Sequence, residues 1–332
     1  MLPTFLATLS PMMSLFICIA IGFAVKKLNI LPDGSGKVLA KLETYVFFPA
    51  LSFSTMSKNC SPETISTHFI NLIISCVGVA LALSISLLLS RFFVKERGME
   101  RGVYNYALAF GNSGYVGDPL VNTMHGDVML SYYKMYTLPV SVAIYTWGLG
   151  QMIPKDKGKS LFKSLLNPPM VSLFVGIIFG LTGVMNYLPE MVSGTLYSTL
   201  DSLKGCVGPV AMILAGITIA SYDFSEMVKD KKVYIASLLR LIVIPTVIIS
   251  ALFGFKELLN LIFSLNISNT VLFLSFFAIG APLGLNTVVF PEAYGGSPKT
   301  GASMAMISHT LSVITIPVMY SLMVLLFGNP VI

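Results

Sequence analysis

Two short runs rich in glycine, proline and asparagine contain the most distinctive chemistry of this sequence. Residues 111–119 read GNSGYVGDP, and residues 280–287 read GAPLGLNT. Because proline removes a backbone donor and glycine lets the chain leave helical geometry, each run is expected to kink or break a helix. A half-helix that starts after a break exposes free N–H groups and a partial positive charge, which suit an anion.

Three asparagines accompany these runs. Asn112 lies in the first run, Asn122 follows it, and Asn286 lies in the second. An asparagine side chain can donate to a carboxylate, accept from a protonated acid, or cap the start of a half-helix. The sequence leaves these roles open for each asparagine.

Three of the ionisable side chains within long apolar stretches are candidates for a functional role. A charge at the centre of a bilayer costs about 2.5–3.5 kcal/mol on insertion scales, so each needs a reason. Asp118, beside Pro119, could carry a coupling proton, bind a cation or cap a half-helix. Arg240 could bind a carboxylate through two hydrogen bonds or extend its guanidinium to the membrane surface. His309 could titrate near neutral pH or be a hydrogen-bonded structural residue.

The composition indicates which elements position these residues. Of the 332 residues, 55% are hydrophobic and only 11% are charged, and the mean hydropathy is +0.82. A soluble domain carries roughly 25% charged residues, so this chain is expected to lie in a membrane. A span needs about 20 mostly apolar residues. Ten stretches fit, at approximately 11–28, 39–57, 68–90, 102–122, 129–151, 166–185, 196–221, 233–254, 269–292 and 300–327.

The expected fold is therefore an all-α membrane bundle of ten helices, because helices satisfy their own backbone groups in lipid. The first stretch lacks a basic flank and a cleavage site, so it is predicted to be a retained span. The four cysteines are scattered, which predicts neither a disulfide nor a metal site. Glu43, Asp201 and Lys204 are expected in solvated outer turns, away from the site.

Basic residues alternate between the loops. All but five of the 21 lysines and arginines fall in odd-numbered loops or their flanks. Since basic residues favour the cytoplasmic side, both termini are predicted to be extracytoplasmic in a multi-pass protein of the cell membrane. This alternation argues against a basic patch for nucleic acid.

The two glycine–proline runs also indicate an internal repeat. Each contains G-x-P-L followed by N-T, at 117–123 and 280–287, and each lies in the fourth span of its half. The fifth spans share a T-x-P-V motif. Because each half has an odd number of spans, the copies must face opposite ways, as in many secondary transporters. The predicted domains are two inverted five-helix halves, 1–160 and 161–332.

Several motifs resemble the auxin efflux carrier family. Residues 22–31 and 48–51 are similar to the opening of its members, and residues 111–120 to its signature G-N-x-G-[FY]-x-G-x-P-L. Weaker similarities, which extend the resemblance over the whole chain, are Arg240-Leu241 with Pro245, residues 282–286, Tyr294-Gly295, and Thr310 with Pro317. The chain lacks the long central loop of the plant carriers and is similar to compact microbial members of the malate or malonate permease kind.

This resemblance implies a fold like that of the sodium/bile-acid symporters. Spans 1, 2, 6 and 7 would form a scaffold and a homodimer interface, and spans 3–5 and 8–10 a mobile core. The broken spans four and nine would cross at Pro119 and Pro282. Cargo would bind at this crossing, and the core would move like an elevator.

The resemblance also implies a site for a small organic anion, such as malate, malonate or an auxin-like acid, with Asn112 and Asn286 as its best contacts. The predicted substrate-binding residues are Asn112, Ser113, Gly114, Asn122, Gly280 and Asn286, and the predicted crossover residues are Gly117, Pro119, Pro282 and Gly284. Asp118 stands where family members often have an apolar residue, and His309 where they often have a small one. Coupling to H⁺ or Na⁺ through Asp118, His309 or Arg240 therefore stays open.

Other functions remain as alternatives. One is a sodium- or proton-coupled symporter of another solute class, such as amino acids or bile-acid-like molecules. An enzyme is disfavoured, because an aspartyl protease needs a second mid-span aspartate beside Asp118, and the sequence has neither that nor a metal motif. A channel is disfavoured by paired broken helices, and a cation antiporter by the lack of adjacent membrane carboxylates. No cofactor is expected.

Overall fold

The computed structural model describes residues 2–152, 166–222, 227–284, 286–288 and 299–331. Within them the fold is helical, and the β pairing is limited to one isolated bridge between Gly111 and Leu283. In chain order the described α-helices are α1 (Leu2–Lys27), α2 (Ser35–Leu42), α3 (Phe48–Asn59), α4 (Ile65–Phe93), α5 (Met99–Ala109), α6 (Asp118–Ala143), α7 (Leu149–Met152), α8 (Pro168–Thr182), α9 (Glu190–Gly205), α10 (Val207–Ala220), α11 (Lys231–Leu238), α12 (Ile244–Phe263), α13 (Thr270–Ile279) and α14 (Lys299–Phe327).

Within the described ranges, five helices are long and apolar enough to cross a membrane, as in a multi-pass membrane protein. They are Leu2–Lys27, Ile65–Phe93, Glu190–Ala220, Lys231–Phe263 and Lys299–Phe327. Five of the predicted spans overlap these helices. The other predicted spans coincide with shorter helices joined by wide turns or breaks, so the total of ten crossings stays a prediction.

Wide, π-helical turns join several of these helices. They are Glu43–Phe47, Ser113–Gly117, Ile144–Gly148 and Leu239–Val243. In three of the four a proline follows two residues after the turn, at Pro49, Pro119 and Pro245. A proline ring clashes with the carbonyl four residues earlier. The extra residue in the wide turn accommodates that clash and lets the helix continue.

Glycines bring helices from the two halves of the chain into close contact. A Cβ atom on Gly22 of α1 would overlap the backbone of α10, and one on Gly216 of α10 would overlap the backbone of α1. Gly176 and Gly180 of α8 meet the backbone of α3 in the same way. Small residues permit such close approach of membrane helices. The first helix of each half thus packs on a helix of the other half.

The centre of the bundle is α13, whose ten residues are all buried. By contrast, α1 and α4 bury only a minority of their residues and expose large apolar side chains. A helix that is apolar all round and completely covered belongs to the interior. The second predicted break therefore begins in the middle of the protein, where α13 ends.

Candidate functional site at the crossing of two breaks

The first break separates α5 from α6. The backbone is extended at Phe110, and helical structure resumes at Ser113. The side-chain Oδ1 of Asn112 accepts a hydrogen bond of 3.3 Å from the backbone N–H of Tyr115. Asn112 therefore caps the second half-helix, which is one of its predicted roles.

The second break follows α13 and pairs with the first. Gly111 and Leu283 form an antiparallel bridge, and the N–H of Asn112 donates to the carbonyl of Pro282 at 2.6 Å. The N–H of Leu283 donates to Ser308 Oγ at 3.0 Å. These bonds satisfy backbone groups that both breaks would otherwise leave buried and unpaired. The two glycine–proline runs thus cross in direct contact.

A cavity of about 140 Å³ opens on this crossing. Its lining includes residues 111–115, Asp118 and Lys134 of α6, and Gly284 and Asn286. The lining also includes Thr44 and Phe48, where α2 leads into α3, and Asn167, Pro169 and Met170 at the start of α8. The cavity is therefore lined by both breaks and by α3 and α8, which come from different halves of the chain.

Six of the residues singled out from the sequence line this cavity: Asn112, Ser113, Gly114, Asp118, Gly284 and Asn286. Asn122 lies one turn beyond Asp118 on α6, half-buried and away from the wall. Gly280 borders a separate, narrower space beside Gly117. Pro119, Pro282, Arg240 and His309 also lie off the wall.

His309 holds the side chain of Asn112. The imidazole Nδ1 is 2.7 Å from the carbonyl of Ala305, which can only accept, so Nδ1 carries the proton. The other ring nitrogen, Nε2, is 3.3 Å from Asn112 Nδ2 and accepts from the amide. Both polar atoms of the Asn112 side chain are thereby oriented by the protein, and His309 is the hydrogen-bonded structural residue in this conformation.

Asn286 has a more open position on the cavity wall. Its Nδ2 donates to the hydroxyl of Tyr106 at 3.0 Å. Its side chain is half-buried, whereas that of Asn112 is buried. An amide carries a second N–H and an acceptor oxygen, so Asn286 retains capacity to bind a polar cargo.

Asp118 and Lys134 form an ion pair on the cavity wall. Asp118 Oδ2 accepts from Lys134 Nζ at 2.9 Å, and the two side chains are 1% and 11% exposed. The second oxygen, Asp118 Oδ1, has no hydrogen-bond partner. Asp118 therefore caps no helix, and the capping alternative for it is wrong.

Lys134 was not a sequence-predicted site residue. It lies 16 residues after Asp118, beyond the reversal that Gly126 makes within α6 at φ 77°. The one available signal was that Lys134 is among the five basic residues outside the odd-numbered loops.

Comparison with known proteins decides the family. The chain matches the sequence model of a family described as membrane transport protein, over residues 7–160 and 155–320. The chain belongs to this family. The match confirms the resemblance to the auxin efflux carriers.

Two archaeal relatives, both named uncharacterized transporters, are 25% identical to this transporter. One, from Methanocaldococcus jannaschii, aligns over 308 residues, which are 90% of this chain and 94% of the relative. The other, from Methanothermobacter thermautotrophicus, aligns over 246 residues, which are 73% of this chain and 77% of the relative.

Arg240 of this transporter is buried against the crossing. Its side chain is at 2% exposure in the wide turn after α11, and none of its three guanidinium nitrogens has a hydrogen-bond partner. A Cβ atom on Gly111 would overlap Nη2 of Arg240. The guanidinium does not reach a surface, so the predicted alternative in which it extends to the membrane surface is wrong. It places an uncompensated positive charge directly behind the first break.

Two ionisable residues that were expected in solvated turns, Glu43 and Lys204, are instead buried. Glu43 is completely buried at the start of a wide turn, and neither carboxyl oxygen has a hydrogen-bond partner. Lys204 is also buried and pairs with Asp127. Asp201 does reach solvent and pairs with Lys58 at 2.7 Å. The expectation is thus wrong for Glu43 and Lys204.

Tyr133 fixes the start of the second half-helix. Its hydroxyl donates to the carbonyl of Ser113 at 3.0 Å and occupies the space where a side chain on Gly117 would lie. Gly117 itself has ordinary helical angles, φ −66° and ψ −50°. The glycine is therefore required by close approach and not by backbone conformation.

Proposed function

We propose that this transporter carries small organic anions by alternating access and binds them in the cavity at the crossing of the two broken helices. The observation that carries this proposal is the set of hydrogen-bond donors that line the cavity. The amide of Asn286, the ammonium of Lys134 and the start of the half-helix at Ser113 all border the same 140 Å³ space. Such donors suit a carboxylate.

The charges near the crossing support an anion over a cation. The ion pair of Asp118 with Lys134 is neutral overall, whereas Arg240 lies behind Gly111 with no partner. An isolated buried charge is costly, and an opposite charge nearby lowers that cost. An anionic cargo would supply this opposite charge.

The size of the cavity limits the cargo. An apolar cavity of about 150 Å³ binds benzene, which has six heavy atoms. A space of about 140 Å³ therefore suits a carboxylate of malonate size better than an indole-type acid. Dicarboxylates of the malate and malonate kind remain within the proposed class.

The contacts between the two chain halves support the inverted-repeat architecture. The proposed halves are 1–160 and 161–332, with spans 1, 2, 6 and 7 as scaffold and dimer interface. The glycine contacts, which are reciprocal between α1 and α10 and come from α8 alone towards α3, join helices of those four spans. The breaks occupy the corresponding span of each half. The core would then move like an elevator in the cell membrane, with both termini extracytoplasmic. The proposal includes both facilitative transport and coupling to H⁺ or Na⁺.

Counterflow in proteoliposomes tests the proposal. Vesicles loaded with unlabelled malonate should accumulate labelled malonate through the wild-type transporter. Asn286→Ala should lower uptake about tenfold or more, since a hydrogen bond to a charged group contributes about 1.5–3 kcal/mol.

The matched control is Asn122→Ala, because Asn122 lies away from the cavity wall. It should retain near wild-type uptake. If Asn286→Ala retains the same near wild-type uptake as the Asn122→Ala control, the crossing is not the binding site. Ohmic current without counterflow would identify a channel instead.

A further inference from the structure

The wall of the cavity carries two charged residues among those the structure describes, Asp118 and Lys134. They pair with each other at 2.9 Å. The remaining described wall residues are neutral. A cargo carboxylate that enters the cavity therefore meets one ammonium that it can reach, and that ammonium is already held by a carboxylate of the protein.

The pair is incompletely satisfied on both sides. A carboxylate has about four acceptor positions and an ammonium has three donors. Asp118 Oδ1 is buried without a partner, and Lys134 Nζ has Asp118 as its hydrogen-bond acceptor among the described residues. The ring of Phe48 lies 5.9 Å from Nζ. Lys134 thus keeps donors for a second carboxylate.

We propose that Lys134 is the ligand for the carboxylate of the cargo, and that Asp118 is the internal carboxylate that competes for it. The inference rests on the proposed function, because it assumes that the cavity takes organic anions. Lys134 has a flexible four-carbon stem, whereas Asp118 has a short side chain at the first turn of a half-helix. Lys134 is therefore the partner that moves, and Asp118 the one that stays.

When Lys134 exchanges the carboxylate of Asp118 for that of the cargo, its ammonium still has a carboxylate partner, but Asp118 loses its own. When Lys134 turns to the cargo, the other cation that acts on Asp118 electrostatically among the described residues is Lys204 of α9. Lys204 is already paired with Asp127. The phenol of Tyr133 also interacts with Asp118, and the carboxylate of Asp201 interacts with Lys204. Cargo binding thus works against the attraction between Lys134 and Asp118, which weakens the affinity for anions.

Binding of malonate, lactate and acetate to purified protein in detergent tests this inference. Asp118→Asn removes the competing charge while keeping the shape of the side chain. For the anion that the wild type binds best, the affinity of this variant should be about tenfold higher than that of the wild type, or more. Lys134→Met should bind that anion about tenfold more weakly or worse, and Lys134→Arg should recover most of the loss. The melting temperature of each variant without anion reports whether it folds.

The outcomes separate this inference from the proposed function. Unchanged or weaker binding by Asp118→Asn overturns the inference, whether or not Lys134→Met folds. If Asn286→Ala loses binding while both Lys134 variants bind as the wild type does, the site stands and Lys134 is not its ligand. Failure of the wild type to bind any of the three anions overturns the proposed function together with the inference.

Discussion

Substitution of Gly117 by alanine tests the geometry of the first break. The new methyl group would overlap the hydroxyl of Tyr133 and would lie 2.9 Å from its Cζ and 3.3 Å from the carbonyl of Phe277. The phenol must then move, and its 3.0 Å hydrogen bond to Ser113 would be lost. Since Gly117 already has helical angles, the backbone itself would accept alanine.

The expected magnitude follows from three contributions. Loss of the hydrogen bond costs about 1 kcal/mol. Insertion of a methyl group into a filled space costs about 1–3 kcal/mol. Alanine is favoured over glycine in a helix by about 1 kcal/mol, which offsets part of the loss. We expect Gly117→Ala to lower the free energy of unfolding by about 1–3 kcal/mol.

Thermal unfolding in detergent, followed by intrinsic fluorescence, measures this change. At about 2 °C per kcal/mol, the melting temperature should fall by about 2–6 °C. Gly194→Ala is the control, because a Cβ atom on Gly194 meets nothing within 4 Å on α9. It should leave the melting temperature unchanged or raise it.

A double variant isolates the cause. Tyr133→Phe removes the hydroxyl that the methyl group meets, so Gly117→Ala should destabilise much less in the Tyr133→Phe background than in the wild type. If the two substitutions are simply additive, steric contact with Tyr133 does not explain the glycine, and the argument for close approach at the break is refuted.

Two further substitutions probe buried charges away from the wall. Arg240→Met replaces an unpaired buried guanidinium with an apolar side chain, so it should raise the melting temperature while lowering malonate counterflow; a fall in both would show that Arg240 has a structural partner instead. Asp127→Asn leaves the buried ammonium of Lys204 without its carboxylate and should destabilise by about 1.5–3 kcal/mol, whereas Lys204→Met should cost less; the reverse order in thermal unfolding would contradict this assignment.

Local chemistry was enough to predict the two breaks, whereas their crossing was implied by the family resemblance. Glycine and proline act on the backbone within a few residues, so residues 111–119 and 280–287 could be identified as breaks without knowledge of their neighbours. Capping was one of the roles that the same local rules offered for Asn112. Its contact with His309 could not be predicted, because it joins groups 197 residues apart through the packing of α14.

The burial of charged side chains was less predictable. Glu43 and Arg240 both lie in wide turns, where one extra residue changes the face on which a side chain points. A prediction that assumes a regular helix therefore places these two side chains on the wrong face and gives the wrong burial. Lys134 reaches Asp118 because Gly126 reverses the chain inside α6, and a single glycine gives no measure of that angle.

The glycine contacts between the halves also set an order of assembly. Gly22 of α1 meets a backbone whose own glycine, Gly216, is synthesised about 190 residues later. At roughly 5–20 residues per second, α1 waits in the bilayer for about 10–40 s before its partner helix exists. The N-terminal half cannot complete its packing alone. The surface of α1 around Gly22 must be covered by lipid or by a protein that assists insertion until α10 has been made. Folding of this transporter therefore depends on the membrane during translation.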